Sequence, residues 1–206
     1  MSSHAVVARV RKKTHEKRVG HGGTLDPFAE GVLVVGVGRE STKKLSQILK
    51  GVDKEYLALI ELGKTSTTGD SEGKLRQLAL PESMLEITKA KTEEALSKFQ
   101  GEIEQTPPSF SALKVKGVPA YRLARAGKVF TLPKRKVKIK ELEILEFKPP
   151  FLKLRIVASS GTYIRTLAED IGEELGVGAY LKELLRTRVG GFKIEDSQTL
   201  EEFSHV

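Results

Sequence analysis

Eight residues hold the densest candidate chemistry in the chain. The run GHGGTLDP, Gly20 to Pro27, carries one aspartate, one histidine, one threonine and three glycines, with a proline after the aspartate. Glycines supply the positive φ angles that a tight loop needs. Asp26 before Pro27 is a turn-initiating pair, and the fixed φ of Pro27 restrains the backbone beside the carboxylate. Such a run could be built to hold a carboxylate against a partner. By composition alone the run also reads as a plain turn.

Other chemistries fail on spacing. A phosphate cradle needs GxxxxGK[ST] leading into a helix. GHGGTLDP has no lysine at that place, and GVGRESTK, Gly36 to Lys43, has its lysine at the wrong one. A dinucleotide-binding turn fails because no strand and helix flank a GxGxxG here. The chain has no cysteine, which excludes disulfides and thiolate metal sites. His4, His15, His21 and His205 are scattered without ligand spacing, so a zinc site is not expected.

The elements that must carry the loop can be read from periodicity. Ser2 or Ser3 caps a first helix bearing Ala5, Val6, Val7 and Val10. Gly31 to Val37 reads as one short buried strand. Thr42 is placed as the cap of a helix presenting Leu45, Ile48 and Leu49, with Gly51 at its end. Asp53 to Leu62 is strand-like and holds Tyr56. Residues 65–73 form a polar loop, and Thr92 to Phe99 a short helix. Pro119 to Ala126 reads as another helix, bounded by its proline and Gly127. Between Leu132 and Phe147 the apolar residues switch phase, which implies a bulge or a turn. Leu152, Leu154, Ile156 and Ala158 alternate as a half-buried strand. Ile164, Leu167, Ala168, Ile171 and Leu175 share one helical face, stopped by Gly176. Tyr180 to Val189 is ambiguous between helix and strand. Thr199 and Glu202 have capping-box spacing ahead of a short final helix.

These elements fit an α+β fold with a mostly antiparallel mixed central sheet flanked by helices and loops. The 206 residues suit one domain, 1–206, and 39% hydrophobic content provides a core. Thirty-five basic and 27 acidic residues leave a formal charge of +8. That balance suits a polyanionic partner, although a merely solvated basic surface has the same composition. No apolar run approaches the length of a membrane span and no apolar leader opens the chain, so the expectation is a cytoplasmic protein.

The whole run VGHGGTLDPFAEGVLVVGVGRESTK, Val19 to Lys43, resembles the signature of the TruB family, the tRNA pseudouridine-55 synthases. The likeness continues through DKEYLALIELGKTSTTGDSEG, PPSFSALKVKG, YRLARAGK, SSGTYIRTLAEDIGEELGVGA and LLRTRVGGF, in order and over nearly the entire chain. The resemblance implies the pseudouridine synthase fold. It also implies isomerisation of uridine to pseudouridine in the T-loop of tRNA, without metal or cofactor, by a monomer. Asp26 matches the catalytic aspartate, acting as nucleophile or as a base on the ribose. Arg165, in GTYIRT, matches the active-site arginine, whose cation keeps a carboxylate ionised in a dry pocket. From spacing alone, Arg165 after the core position Ile164 could equally be a surface residue. Tyr56 matches the tyrosine that stacks on uracil and shuttles a proton. Tyr163 and Leu184 match further pocket positions. His21, Gly22, Gly23 and Thr24 belong to the substrate-binding loop, with His21 beside the RNA rather than in acid–base work. The uridine must be flipped out to reach Asp26.

Two basic clusters suit RNA phosphates: Arg9, Arg11, Lys12, Lys13, Lys17 and Arg18 before the loop, and Lys134, Arg135, Lys136, Lys138 and Lys140 later. On an alternating strand the four lysines of the second cluster share a face. Relatives usually begin with a Lys-Pro segment and continue into a C-terminal RNA-binding domain. Neither is seen here, so the expectation is a catalytic domain alone, with a weaker grip on the tRNA body. Two alternatives stay open: the same chemistry on another RNA, and a non-catalytic RNA-binding or RNA-folding module.

Overall fold

The computed structural model describes residues 1–79 and 81–203. The elements follow one another as α1 (Ser3–Thr14), β1 (Val19–Gly22), β2 (Glu30–Gly31), β3 (Val34–Val37), α2 (Arg39–Ile48), β4 (Lys54–Leu62), β5 (Lys64–Ser66) and β6 (Leu75–Gln77). Then come α3 (Pro81–Leu85), α4 (Lys89–Ser97), β7 (Gly101–Gln105), β8 (Lys114–Val115), β9 (Val118–Pro119) and α5 (Ala120–Arg125). The chain closes with β10 (Arg135–Lys148), β11 (Phe151–Ala158), α6 (Ile164–Glu174), β12 (Ala179–Val189), β13 (Phe192–Lys193) and a 3-10 turn, Ile194–Asp196. The main sheet has the strand order β13-β12-β4-β11-β10-β7, with β2 beside β12. The β10–β11 and β7–β10 ladders are antiparallel, while β2 runs parallel to β12. The fold is therefore α+β with a mixed, mostly antiparallel sheet.

Contacts group the chain into two compact units, Met1–Leu57 with Leu184–Val206, and Ala58–Glu183. In the first unit α1 begins as expected: the Ser2 side chain accepts from the Ala5 amide at 3.2 Å. Val7, Val10 and Val19 form a small core, joined by Val6, Val35, Leu200 and Phe203. The α1 helix also carries the loop, because the Ser3 hydroxyl donates to the Leu25 carbonyl at 3.3 Å and accepts from the Leu25 amide at 3.0 Å. The expected single strand Gly31 to Val37 is in fact two. Gly31 sits at φ +103, and the Val32 amide donates to the Arg186 carbonyl at 2.8 Å, which diverts the chain between β2 and β3. The β3 strand pairs with β1 in register Val19↔Val37 to Gly22↔Val34 and is only half-buried.

Two helix starts lie upstream of the threonines assigned to them. The α2 helix is entered through Gly38, and Thr42 lies inside it with its hydroxyl on the Gly38 carbonyl at 2.9 Å. Thr88 caps α4, and Thr92 is a buried interior residue bonded back to the Thr88 carbonyl. In both cases a threonine one turn into the helix turns its hydroxyl back on a carbonyl rather than capping an amide. Thr199 and Glu202 do form reciprocal capping-box bonds, at 2.8 and 3.2 Å. Residues 200–202 form a turn rather than the expected helix, and residues 204–206 lie outside the described ones.

In the second unit β10 is one long strand. Its register shifts between Ile139 and Glu141 and again between Ile144 and Glu146, so the phase switch is a pair of irregularities rather than a turn. Leu152, Leu154, Ile156 and Ala158 of β11 are fully buried, as are Leu167, Ala168 and Ile171 of α6. The ambiguous segment Tyr180 to Val189 is the strand β12.

Candidate active site

In the first unit the GHGGTLDP run begins as β1 and then leaves the ladder as a loop. The Ala29 amide donates to the Asp26 carbonyl at 3.0 Å, closing a turn around Pro27 and Phe28. The start of α1 holds this loop from the other side through the Ser3 hydroxyl at Leu25. Asp26 is half-buried; Gly23 and Thr24 are exposed, while His21 and Gly22 are half-buried. Gly22 has a packing reason to lack a side chain, because a Cβ there would come within 2.0 Å of Leu49 Cδ1.

Arg186 was assigned no role from sequence and lies at the centre of this unit. It belongs to β12 and is 1% exposed. Its Nε donates to the Val32 carbonyl at 2.8 Å and its Nη2 to the Gly23 carbonyl at 2.9 Å. The same guanidinium hydrogen-bonds the Tyr56 hydroxyl and is attracted by the Asp26 carboxylate. Burial lowers its basicity, against the opposing pull of Tyr56 and Asp26. Tyr56, on β4, is 7% exposed; burial raises its phenol pKa, so it stays protonated at neutral pH. Leu184, two residues before Arg186, is also buried. Loop, tyrosine, leucine and arginine therefore come together in one unit. The sequence did hold a signal for Arg186: an arginine in an apolar strand run, LLRTRV, is a buried charge that requires partners.

Two further basic groups face this loop. Lys54 lies against Gly23, its Nζ 3.6 Å from where a Cβ would sit, and its ammonium pKa is lowered by burial and by Arg186. His21 stacks edge-on against His4 with centroids 5.5 Å apart. Burial, then His4 and Arg186, lower the His21 pKa, so its ring is neutral at physiological pH. Its Nδ1 is buried and has no hydrogen-bond partner among the described residues.

Arg165 and Tyr163 belong to the second unit. The spacing argument that allowed Arg165 to be a surface residue is corrected: it is 4% exposed. Its Nη1 donates to the Thr68 carbonyl and its Nη2 to the Phe110 carbonyl, both at 2.9 Å, and Nη1 is 3.4 Å from Asp70 Oδ2. Asp70 is itself buried and accepts from the Thr68 hydroxyl and the Glu72 amide. The polar loop read over residues 65–73 is thus the cradle of a buried ion pair. Tyr163 is half-buried at the start of α6, where its amide and carbonyl are both bonded to the Gln105 side chain, at 3.1 and 3.3 Å. Glu169, on the same helix, is pushed up to about 7 by burial, then by Asp170, with Arg165 opposing and Asp70 adding to the rise.

The expected lysine face is present in part: Lys136 and Lys138 are exposed while Val137 and Ile139 are buried, Lys140 is exposed within the register shift, and Lys134 lies before the strand. Lys136 spends part of its charge on Glu102, 3.0 Å away. Among the described residues no group of three His, Cys, Asp or Glu is placed to hold a metal ion, and no helix is long and apolar enough to cross a membrane.

Comparison with known proteins adds an independent line. The family model described as TruB family pseudouridylate synthase (N terminal domain) matches residues 11–164. The model described as tRNA pseudouridylate synthase B C-terminal domain matches residues 165–206. The tRNA pseudouridine synthase B of Pseudomonas fluorescens strain Pf0-1 is 47% identical over 205 residues, covering all of this chain. The chain spans 65% of that relative's length. A tRNA pseudouridine synthase B of Francisella tularensis is 44% identical over 208 residues, and the chain spans 67% of it. Among solved structures, a chain of a Cbf5-Nop10-Gar1 complex superposes with a TM-score of 0.70 at 34% identity, over 94% of this chain and 46% of that one.

Proposed function

The chain belongs to the TruB family of pseudouridylate synthases, and from that premise we propose that it isomerises uridine to pseudouridine at position 55, in the T-loop of tRNA. The uridine is flipped from the loop into the site. Asp26 attacks the sugar or takes a ribose proton; either route breaks the N1–C1′ bond. The freed uracil turns and C5 bonds to C1′, releasing the Asp26 carboxylate from C1′ on the first route or returning the ribose proton from Asp26 on the second; the C5 proton then leaves to solvent, and N1 takes up a proton. Atoms and electrons balance without an oxidant or a further reactant.

The single observation that carries this reading is the grouping of Asp26, Tyr56 and Arg186 around one loop. A carboxylate is fixed in a turn beside a buried cation and a protonated phenol. Fixed placement of a reacting group is worth several kcal/mol of barrier, on the order of 7–11 in the best cases. We assign Asp26, Tyr56 and Arg165 as the catalytic residues. Tyr56 offers a ring for the base and a proton at its hydroxyl. Arg165 supplies a planar, permanently charged group whose hydrogen bonds hold its orientation. His21, Gly22, Gly23, Thr24, Tyr163 and Leu184 contact the substrate, and the lysines of β10 bind phosphates of the T-arm. Neutral His21 is suited to lie among bases rather than to pair with phosphate.

Pseudouridine mapping tests the assignment. An unmodified tRNA transcript is incubated with the protein, derivatised with a carbodiimide, and read by reverse transcription. A stop next to position 55 supports the reading. Stops confined to another RNA support the same chemistry on a different substrate, and RNA binding without any stop supports a non-catalytic module.

A further inference from the structure

We propose that Arg186 is the positioning residue of the Asp26 loop: one guanidinium ties both ends of the segment that carries the carboxylate and fixes the Tyr56 hydroxyl as well. The inference rests on the functional reading above and adds a residue to it. Arg186 is 1% exposed, so it acts through its neighbours rather than on the RNA.

The geometry is that of a strut. Nη2 holds the Gly23 carbonyl three residues before Asp26, and Nε holds the Val32 carbonyl six residues after it. The main chain of the same residue holds the far end too, because Arg186 pairs with Gly31 and its carbonyl accepts from the Val32 amide. Gly31 makes that approach possible: a Cβ there would lie 2.2 Å from the Arg186 oxygen. The third bond goes to Tyr56. A guanidinium has five N–H donors in a rigid plane, so it can serve three acceptors in fixed directions. A lysine ammonium is one point charge on a flexible stem and cannot hold all three.

The test compares Arg186→Lys and Arg186→Gln with wild type under single turnover, on a T-arm RNA tritiated at uracil C5. RNA affinity is measured by filter binding, and amide exchange of residues 23–32 by mass spectrometry without RNA. A residue that only stabilises the fold would lower the melting temperature and leave the rate of the folded protein alone. The expected result is a folded Lys variant whose rate falls about ten-fold or more while its RNA affinity stays within about three-fold of wild type. Loop exchange rises in step, and the Gln variant is slower still. A Lys variant at the wild-type rate with unchanged loop exchange overturns the proposal. So does a wild-type loop that exchanges like a free peptide, a reading that needs no variant to fold. If wild type releases no tritium, the functional reading fails, and the exchange arm still decides whether Arg186 tethers the loop.

Discussion

Arg186 reaches 163 positions back along the sequence to hydrogen-bond the carbonyl of Gly23 at 2.9 Å. Through that bond a strand near the end of the chain controls a loop near its beginning. Polar tethers hold the loop: Ser3 at Leu25, and Arg186 at Gly23 and Val32.

Tyr56→Phe keeps the ring and removes the hydroxyl that Arg186 contacts. The variant should fold and bind T-arm RNA as wild type does, because the ring still packs in β4. Its single-turnover rate should fall about 100-fold, the usual size of a lost proton-transfer group. Equal rates would reduce Tyr56 to a packing role.

Gly31→Ala places a methyl group against the Arg186 carbonyl at a backbone φ of +103. Strain of this kind costs about 1–3 kcal/mol. Urea unfolding should show a lower midpoint with an unchanged slope. An unchanged midpoint would mean that β2 and β12 are not held together as described.

Glu169 predicts a pH dependence. Its folded-state pKa is raised from 4.5 to about 7, so the folded chain holds this proton more tightly than the unfolded chain does. The resulting stabilisation is complete below pH 4.5 and is lost as pH rises to 7. Glu169→Gln should remove that decline. Because the carboxyl is half-exposed, screening limits the effect to on the order of 1 kcal/mol. Thermal melts at pH 5 and pH 8 measure it; a pH difference as large in the variant as in wild type would contradict it.

Lys138→Ala removes an exposed charge from the β10 face. RNA affinity should weaken, and the slope of log affinity against log salt should become shallower by about 0.7–0.9. The rate at saturating RNA should not change. An unchanged slope would place the RNA elsewhere.

Much of this was legible in the sequence, for reasons that can be named. The α6 and β11 elements are strongly periodic and bounded by Gly176 and by turn residues, and both formed as read. The reading of β4, with Tyr56 near its start, also held. Two misreadings and one reading left open were physical ambiguities. Thr42 reads as a cap and Thr92 as the first residue of a helix, but the caps, Gly38 and Thr88, lie four residues upstream and the two hydroxyls bond back to those caps' carbonyls. GVLVVGV looks like one strand, but a positive φ at Gly31 and a long-range bond to Arg186 divide it. The β12 strand was ambiguous because its apolar residues do not alternate: Tyr180 and Leu181 are adjacent, as are Leu184 and Leu185. Arg186 itself was missed because the three acceptors around its side chain lie at Val32, Gly23 and Tyr56, and no local pattern records them.

The most direct test concerns the carboxylate of Asp26. Asp26→Asn preserves the size of the side chain and removes its charge. T-arm RNA tritiated at uracil C5 is mixed with excess wild type or variant, and label released to water is counted over time, with RNA affinity measured on the same preparations. The account predicts release by wild type, release at least about 1,000-fold slower by Asp26→Asn, as expected for loss of a nucleophile, and RNA affinity that is little changed. Release by Asp26→Asn at a rate near wild type would contradict it.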